Sequence, residues 1–175
     1  MGHHNHDAFK ALNIAVLTLS DTRTEENDTS GQLLVERLQT AGHHLADKKI
    51  VTDDVYKIRA VMSQWIADES VEVVISTGGT GVTGRDLAPE AIELLFDRTI
   101  DGFGEMFRHY SFDEIGVSTV QSRAFAGTAN GTYIFCLPGS SGACKTGWDK
   151  ILKSQLDITT KPCNFAVLIP RLLET

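Results

Sequence analysis

Runs of consecutive apolar residues of strand length alternate with segments of helical periodicity along most of this chain. The first run, Leu12–Leu19, holds Ile14 to Leu17 without a polar interruption. Such a pattern is typical of parallel strands that are covered on both faces. Comparable apolar runs follow at Leu45–Val51, Val71–Ser76 and Thr132–Leu137. The alternation predicts an α/β fold, a three-layer sandwich with a mainly parallel central sheet and right-handed crossovers.

The segments between these runs carry helical signals. The clearest helix places five apolar residues at i, i+3, i+4, i+7 and i+8: Ile58, Val61, Met62, Trp65 and Ile66. Gly42 follows another apolar helical face and is suited to a left-handed helix end. Further helices are predicted over Leu33–Ala41, Pro89–Phe96, Phe103–Tyr110 and Trp148–Leu156.

Charge and composition exclude several classes of protein. The net charge of −7, from 16 basic and 23 acidic residues, argues against nucleic-acid binding, which needs a basic face. The apolar runs are far shorter than the roughly 20 residues of a membrane span. The three cysteines have no CxxC spacing, which favours reduced thiols. We therefore expect a cytoplasmic protein with no nucleic-acid or membrane partner.

The N-terminus has no apolar segment of the kind found in secretory signals. We predict a flexible tail over residues 1–10 and a single domain over residues 11–175. His3, His4 and His6 are attributed to that tail or to an expression remnant rather than to a metal site.

Four polar or glycine-rich loops follow predicted strands. In open parallel sheets the binding crevice lies beyond the carboxyl ends of the strands, so these loops are expected to meet around one ligand site. The loops begin Ser20-Asp21-Thr22-Arg23, Thr52-Asp53-Asp54, Ser76-Thr77-Gly78-Gly79-Thr80-Gly81 and Pro138-Gly139-Ser140-Ser141-Gly142.

The third loop is the most informative of the four. Its three glycines allow backbone N–H groups to approach an anion closely, and a helix beginning near Pro89 would favour the same charge. Asp86 lies between the glycines and that helix. A carboxylate beside a phosphate site requires a cation between them, so we interpret Asp86 as a Mg²⁺ ligand. The alternative, a helix cap, fits poorly because Ala88 directly precedes Pro89.

Other polar residues leave two interpretations open. One of Asp53 and Asp54 is expected to cap the following helix, which leaves the second free for another role. Arg123, next to Ser122, would either clamp a phosphate or form a surface ion pair. Arg85 would either contact the ligand or pair with Asp86.

Two further motifs match known patterns only superficially. Gly79-x-Gly81-x-x-Gly84 has the spacing of a dinucleotide fingerprint, but its last glycine does not open a helix. Gly139–Thr146 resembles a P-loop, except that Cys144 replaces the glycine required before the lysine. Neither an NAD-type oxidoreductase nor a P-loop enzyme is therefore favoured, and no serine–histidine pair suggests a hydrolase.

Five motifs occur in the order and spacing of a known family. They are Thr18-Leu-Ser-Asp21, Asp28-Thr-Ser-Gly31, Ser76–Gly81 with Asp86-Leu-Ala-Pro-Glu90, Gln121-Ser-Arg123 and Leu137-Pro-Gly-Ser140. Over about residues 10 to 170 the chain resembles the MoaB/MogA family of molybdenum cofactor biosynthesis, which is related to the gephyrin G domain. The segments Gly102–Arg108, Ser111–Gly116 and Lys161–Phe165 resemble its MoaB branch.

The resemblance implies a reaction in which the terminal phosphate of molybdopterin attacks the α-phosphorus of ATP and releases pyrophosphate. It implies that Asp53 and Asp86 are catalytic and hold Mg²⁺. Where many members have Val-Pro-Asp-Glu, this chain has Val51-Thr-Asp-Asp54. The remaining residues implied to bind molybdopterin or nucleotide are Ser20, Asp21, Gly78, Gly79, Thr80, Gly81, Ser122, Arg123, Pro138, Gly139, Ser140 and Ser141.

The resemblance also implies a homotrimer, or a hexamer of two trimers. Apolar residues of the predicted Phe103–Tyr110 region and Phe112 would form an interface or part of the core: Phe103, Met106, Phe107 and Phe112. An alternative function is also open, because some MoaB-type members resemble molybdopterin-binding paralogues that do not catalyse adenylylation.

Overall fold

A computed structural model describes residues 8–175 of the chain. Its strands β1 to β6 span, in chain order, Asn13–Leu19, His44–Val51, Val73–Thr77, Arg98–Thr99, Phe125–Ala129 and Thr132–Leu137. They form one sheet in the order β2-β1-β3-β6-β5-β4. The pairings among β2, β1, β3 and β6 are parallel, whereas β5 and β4 are added in antiparallel fashion. The predicted mainly parallel sheet is confirmed.

Helices cover both faces of this sheet. Helices α1 to α6 span Thr29–Thr40, Val55–Ala67, Ala88–Ile92, Asp101–Ile115, Ser141–Gly147 and Lys153–Gln155. A π-helical segment, Trp148–Leu152, joins α5 to α6, and 3₁₀ segments cover Glu93–Leu95, Gly116–Gln121 and Ala166–Arg171. None of these helices is long and apolar enough to cross a membrane.

The core consists of two apolar layers because neighbouring strand residues point to opposite faces. Ile14 and Val16 pack in a cluster with residues of α1, α4 and the π-helical segment. Ala15 and Leu17 pack in a second cluster with residues of α2 and α3. The uninterrupted apolar run in β1 is therefore explained by helices on both sides, and the three-layer sandwich is confirmed.

Residues at the ends of several helices explain where those helices begin or end. Asp54 caps α2 by accepting hydrogen bonds from the backbone N–H groups of Tyr56 and Lys57. Gly42, with φ of +92°, follows α1 in the left-handed conformation that the sequence predicts. No side chain caps α3, whose first residue is Ala88, so Asp86 is not a helix cap.

Two predictions about the middle of the chain were incomplete. The helix predicted over Phe103–Tyr110 extends from Asp101 to Ile115, and strands β4 and β5 were not predicted. Phe103 and Phe107 lie in the core, whereas Met106 and Phe112 are exposed, so the core role is confirmed for the first two only.

The described residues begin at residue 8. Most of the tail predicted over residues 1–10, including His3, His4 and His6, therefore lies outside them. The ring of Phe9 packs at a tilt against that of His43, with ring centroids 5.1 Å apart. Lys10 forms an ion pair with Glu72 at 3.8 Å. The end of this segment thus contacts the domain.

Candidate functional site

The four loops meet at the carboxyl edge of the sheet, as the sequence predicts. The backbone N–H of Ser20 donates to the carbonyl of Val51 at 2.9 Å, and that of Gly78 donates to Leu137 at 3.0 Å. The N–H of Asp53 donates to the carboxylate of Asp21 at 3.1 Å. These contacts join the ends of β1, β2, β3 and β6, which are neighbours in the sheet.

Two adjacent cavities lie among these loops. The first, which we call the glycine cavity, has a volume of about 260 Å³ and is lined by Thr18, Leu19, Ser20, Arg23, Asp28, Ser30, Thr77–Gly81, Asp86, Pro138 and Gly139. The second, which we call the α4 cavity, has a volume of about 280 Å³ and is lined by Thr80, Gly81, Phe107, Ser111, Glu114, Ile115, Thr119, Gln121, Ser122, Pro138, Ser140, Gly142 and Ala143. Thr80, Gly81 and Pro138 contribute to both.

The glycine loop requires glycine at particular positions. Gly78 has φ of +103°, a conformation that L side chains rarely adopt. At Gly81 a Cβ atom would lie 2.6 Å from a carboxylate oxygen of Asp86. The backbone can therefore approach Asp86 only because Gly81 has no side chain.

Asp86 is held in a fixed orientation by this loop. One of its oxygens accepts hydrogen bonds from the N–H and the hydroxyl of Thr83, at 2.9 and 2.6 Å. Burial alone would raise the pKa of Asp86, but these hydrogen bonds and one from the Gly81 amide lower it below its usual range. Asp86 therefore carries a negative charge beside the glycine cavity.

Asp53 differs from Asp86 because one of its oxygens is buried without a hydrogen-bond partner in the described part of the chain. This Oδ1 atom lies 3.4 Å from the position that a Cβ atom on Gly79 would occupy. Burial raises the pKa of Asp53, and the charges of Asp21 and Asp86 raise it further while Arg85 opposes them. Asp54 caps α2, so Asp53 is the acid left free.

Asp21 and Arg85 form an ion pair across the edge of the site. The hydrogen bond from Arg85 is the main reason why the pKa of Asp21 is lowered. Of the two roles considered for Arg85, pairing with Asp86 is wrong, because its carboxylate partner is Asp21. Neither Asp21 nor Asp53 lines either cavity. Asp21 directly follows Ser20, and Asp53 approaches Gly79, both of which line the glycine cavity.

Arg123 forms an ion pair rather than pointing into either cavity. Its guanidinium donates to the carbonyls of Gly81 and Asp86, at 2.6 and 2.8 Å, and to the carboxylate of Glu90 at 2.5 Å. Arg123 thus supports the glycine loop from outside. Its neighbour Ser122 lines the α4 cavity.

The loop after β6 reaches the site through Ser140 but not through Ser141. Ser140 caps α5 by accepting from the N–H of Ala143 at 3.1 Å, and it lines the α4 cavity. Ser141 donates to Thr29 at 3.2 Å and lines neither cavity. Cys144 is fully buried in this helix. Gly84, the last glycine of the dinucleotide-like spacing, does not open a helix, so the structure agrees with setting the dinucleotide motif aside.

Sequence reasoning missed the role of Asp28, whose side chain is only 1% exposed. It accepts hydrogen bonds from Thr18 and from the N–H of Gly31, at 2.8 and 2.9 Å, and pairs with Lys48 at 2.9 Å. Burial alone would raise the pKa of Asp28, but these partners, Lys48 foremost, lower it. A signal was available, since Asp28 directly precedes a helix and stands in one of the five family motifs.

The carboxylates of Asp53 and Asp86 provide only some of the ligands that a hard divalent cation needs. No group of three or more histidine, cysteine, aspartate or glutamate side chains among residues 8–175 is arranged to hold a metal. Magnesium, however, is commonly bound through one or two carboxylates together with water and substrate phosphates. The unpartnered oxygen of Asp53 and the charged Asp86, which both approach the glycine loop, fit that mode of binding.

Comparison with known proteins shows the family. A family model described as "Probable molybdopterin binding domain" matches residues 15–157. Molybdenum cofactor biosynthesis protein B of Escherichia coli (strain K12) is 57% identical over 157 residues, which are 90% of this chain and 92% of that protein. This chain belongs to the MoaB/MogA family.

Other members of the MoaB/MogA family agree in sequence and fold. Molybdenum cofactor biosynthesis protein B of Bacillus cereus is 44% identical over 154 residues, which are 87% of this chain and 91% of that protein. The crystal structure of the tungsten cofactor synthesizing protein MoaB from Pyrococcus furiosus has a TM-score of 0.76 and 40% identity, covering 84% of this chain and 94% of that one. The family predicted from the five motifs is confirmed, and with it a role in molybdenum cofactor biosynthesis through a molybdopterin-binding domain.

Proposed function

We propose that this protein transfers the adenylyl group of ATP to molybdopterin. In this reaction an oxygen of the terminal phosphate of molybdopterin forms a bond to the α-phosphorus of ATP. The bond between that phosphorus and the oxygen bridging to the β-phosphate breaks, and pyrophosphate leaves with the electron pair. The attacking phosphate is already an anionic nucleophile, so the protein needs no strong general base, and catalysis rests on positioning and on neutralising charge.

The observation that carries this proposal is the buried oxygen of Asp53 without a partner, at the same glycine loop that holds the charged Asp86. A buried carboxylate oxygen left unpaired costs free energy, so such an atom indicates a ligand that completes it. We propose that Asp53 and Asp86 hold Mg²⁺. When bound, Mg²⁺ would neutralise negative charge on the nucleotide phosphates.

The two cavities provide separate places for the two substrates. Residues 78–81 line the glycine cavity. The N–H groups of Gly78 and Gly81 already donate to Leu137 and Asp86, so those of Gly79 and Thr80 would orient phosphate oxygens. The α4 cavity includes the apolar side chains of Phe107 and Ile115 and the hydroxyl of Ser122. We assign the pterin ring to this cavity, since flat heterocycles bind to mainly apolar walls with a few polar groups. Arg123 would act indirectly, by supporting the carbonyl of Gly81.

The proposed reaction is tested by pyrophosphate release from ATP with Mg²⁺ and molybdopterin. Asp53→Asn should lower the rate at least a hundredfold. Its neighbour provides a matched control, because Asp54→Asn removes the same charge while asparagine still caps α2. Molybdopterin binding without pyrophosphate release by the unmodified protein would refute the transfer and identify a non-catalytic molybdopterin-binding paralogue.

We also propose that the protein assembles into a homotrimer, or a hexamer of two trimers, in the cytoplasm. Exposed apolar side chains are concentrated on α4 and the 3₁₀ segment that follows: Met106, Phe112, Ile115, Val117 and Val120. Such a concentration of exposed apolar residues is typical of an interface. The three cysteines are unpaired, as expected of a protein in a reducing compartment. Analytical ultracentrifugation tests the assembly directly.

A further inference from the structure

The Asp21–Arg85 ion pair joins the loop after β1 to the loop after β3 at the proposed nucleotide site. The side chain of Arg85 is 68% exposed and that of Asp21 is 37% exposed. Exposed ion pairs of this kind are weak, because water solvates both charges well. The contact is therefore one that a ligand with a stronger charge can replace.

Asp21 also contacts the metal-binding candidate Asp53. One carboxylate oxygen of Asp21 accepts the backbone N–H of Asp53, and the other accepts a hydrogen bond from Arg85. Arg85 therefore neutralises a carboxylate that also binds the backbone of Asp53.

Arg123, the other arginine near the glycine loop, cannot exchange its partners in the same way. Arg123 is held by two backbone carbonyls and by the carboxylate of Glu90, and its side chain is 34% exposed. Arg85, by contrast, has Asp21 as its one ion-pair partner among the described residues. Arg85 is thus the arginine that can change partners without breaking the backbone contacts of the glycine loop.

We propose that Arg85 is an exchangeable counter-ion of Asp21, next to the metal-binding candidate Asp53. In the protein without ligands, its guanidinium neutralises the carboxylate of Asp21. When a divalent cation and ATP bind, the cation replaces the guanidinium as the neighbouring positive charge, and Arg85 turns to the phosphate oxygens of ATP. A guanidinium can bind such oxygens with two parallel hydrogen bonds. This inference rests on the proposed function and adds a residue that links metal binding to nucleotide binding.

The exchange predicts opposite effects on two ligands in one variant. Without nucleotide, Arg85→Gln should bind Mn²⁺ about three- to fivefold more tightly, because a competing cation is lost and an exposed ion pair is worth less than a tenfold change in affinity. With saturating Mn²⁺, the same variant should bind ATP roughly tenfold more weakly. Electron paramagnetic resonance measures free Mn²⁺, and isothermal titration calorimetry measures ATP binding. General damage to the site would instead weaken the binding of both Mn²⁺ and ATP.

Two further variants complete the test. Arg37→Gln removes the same charge from a pair with Asp149 that lies outside the site, and it should alter neither affinity. Asp21→Asn removes the partner of Arg85, and it should weaken Mn²⁺ binding while ATP binding at saturating Mn²⁺ is retained. Weaker Mn²⁺ binding by Arg85→Gln, or no change for either ligand, would overturn the inference. If the unmodified protein binds neither Mn²⁺ nor ATP, the proposed function itself fails.

Discussion

Replacing Asp53 by asparagine should make the protein more stable at neutral pH although it abolishes the proposed activity. The folded-state pKa of Asp53 lies above its ordinary value of 3.8. A carboxyl group with a raised folded-state pKa contributes stability that is fully present below pH 3.8. That contribution is lost as the pH rises through the folded-state pKa. At pH 7 the charged carboxylate therefore opposes folding, and Asp53→Asn removes that charge.

The expected gain is about 1 kcal/mol in the free energy of unfolding. Leaving a buried polar atom unsatisfied costs about 1–3 kcal/mol, and more when the atom is charged. Asp53→Asn keeps the unpaired polar atom but removes its charge, so only the additional cost due to the charge is recovered. Only one of the two oxygens of Asp53 is buried without a partner, and the charge of Arg85 offsets part of the repulsion, so we take this additional cost as about 1 kcal/mol. For a domain of this size, about 1 kcal/mol corresponds to a rise in Tm of about 2–4 °C.

Differential scanning calorimetry at pH 7 and at pH 3.5 measures this effect. The gain should be present at pH 7 and almost absent at pH 3.5, where the aspartate is largely protonated. Asp54→Asn is the control and should change the free energy of unfolding by no more than about 0.5 kcal/mol at either pH, because asparagine caps helices as well as aspartate. A loss of stability in Asp53→Asn at pH 7, or an equal gain at both pH values, would refute the reasoning.

Three further predictions follow from the contacts described. Gly81→Ala should displace Asp86 and slow pyrophosphate release at least tenfold, whereas Gly84→Ala, whose Cβ would meet no atom within 4 Å, should leave the rate unchanged. Asp28→Ala should lower the free energy of unfolding by roughly 1–3 kcal/mol in urea titrations, because it leaves the buried donors of Thr18 and Gly31 without their partner and Lys48 with only the exposed Glu25. In the unmodified protein this stabilisation, present above pH 3.8, should be lost as the pH falls through the lowered folded-state pKa. Val120→Glu should reduce the sedimentation coefficient by breaking the proposed assembly, and an unchanged coefficient would place the interface elsewhere.

The four parallel strands and the meeting of their loops could be predicted from the sequence, because both depend on the pattern of apolar and polar residues along short segments. The apolar run in β1 identified a strand buried on two faces. Adjacent acids after β2 indicated that one would cap a helix and the other would be free. These features need only a few neighbouring residues.

Other features depended on contacts between distant parts of the chain. Strand β4 is only two residues long, Arg98 and Thr99, and both are exposed. It is a strand only because it pairs with β5. The partner of Arg85 is Asp21, which is 64 residues away in sequence, and proximity along the chain favoured Asp86 instead. The charge network around Asp53 likewise required the folded arrangement of three loops.

The wall that the glycine and α4 cavities share has a thermodynamic consequence. Thr80, Gly81 and Pro138 face both cavities, so a ligand that shifts this backbone from one side alters the surface met by a ligand on the other. We therefore expect the two dissociation constants to depend on each other, by an identical factor in each direction. Measuring either constant with and without the second ligand would give the size of this coupling.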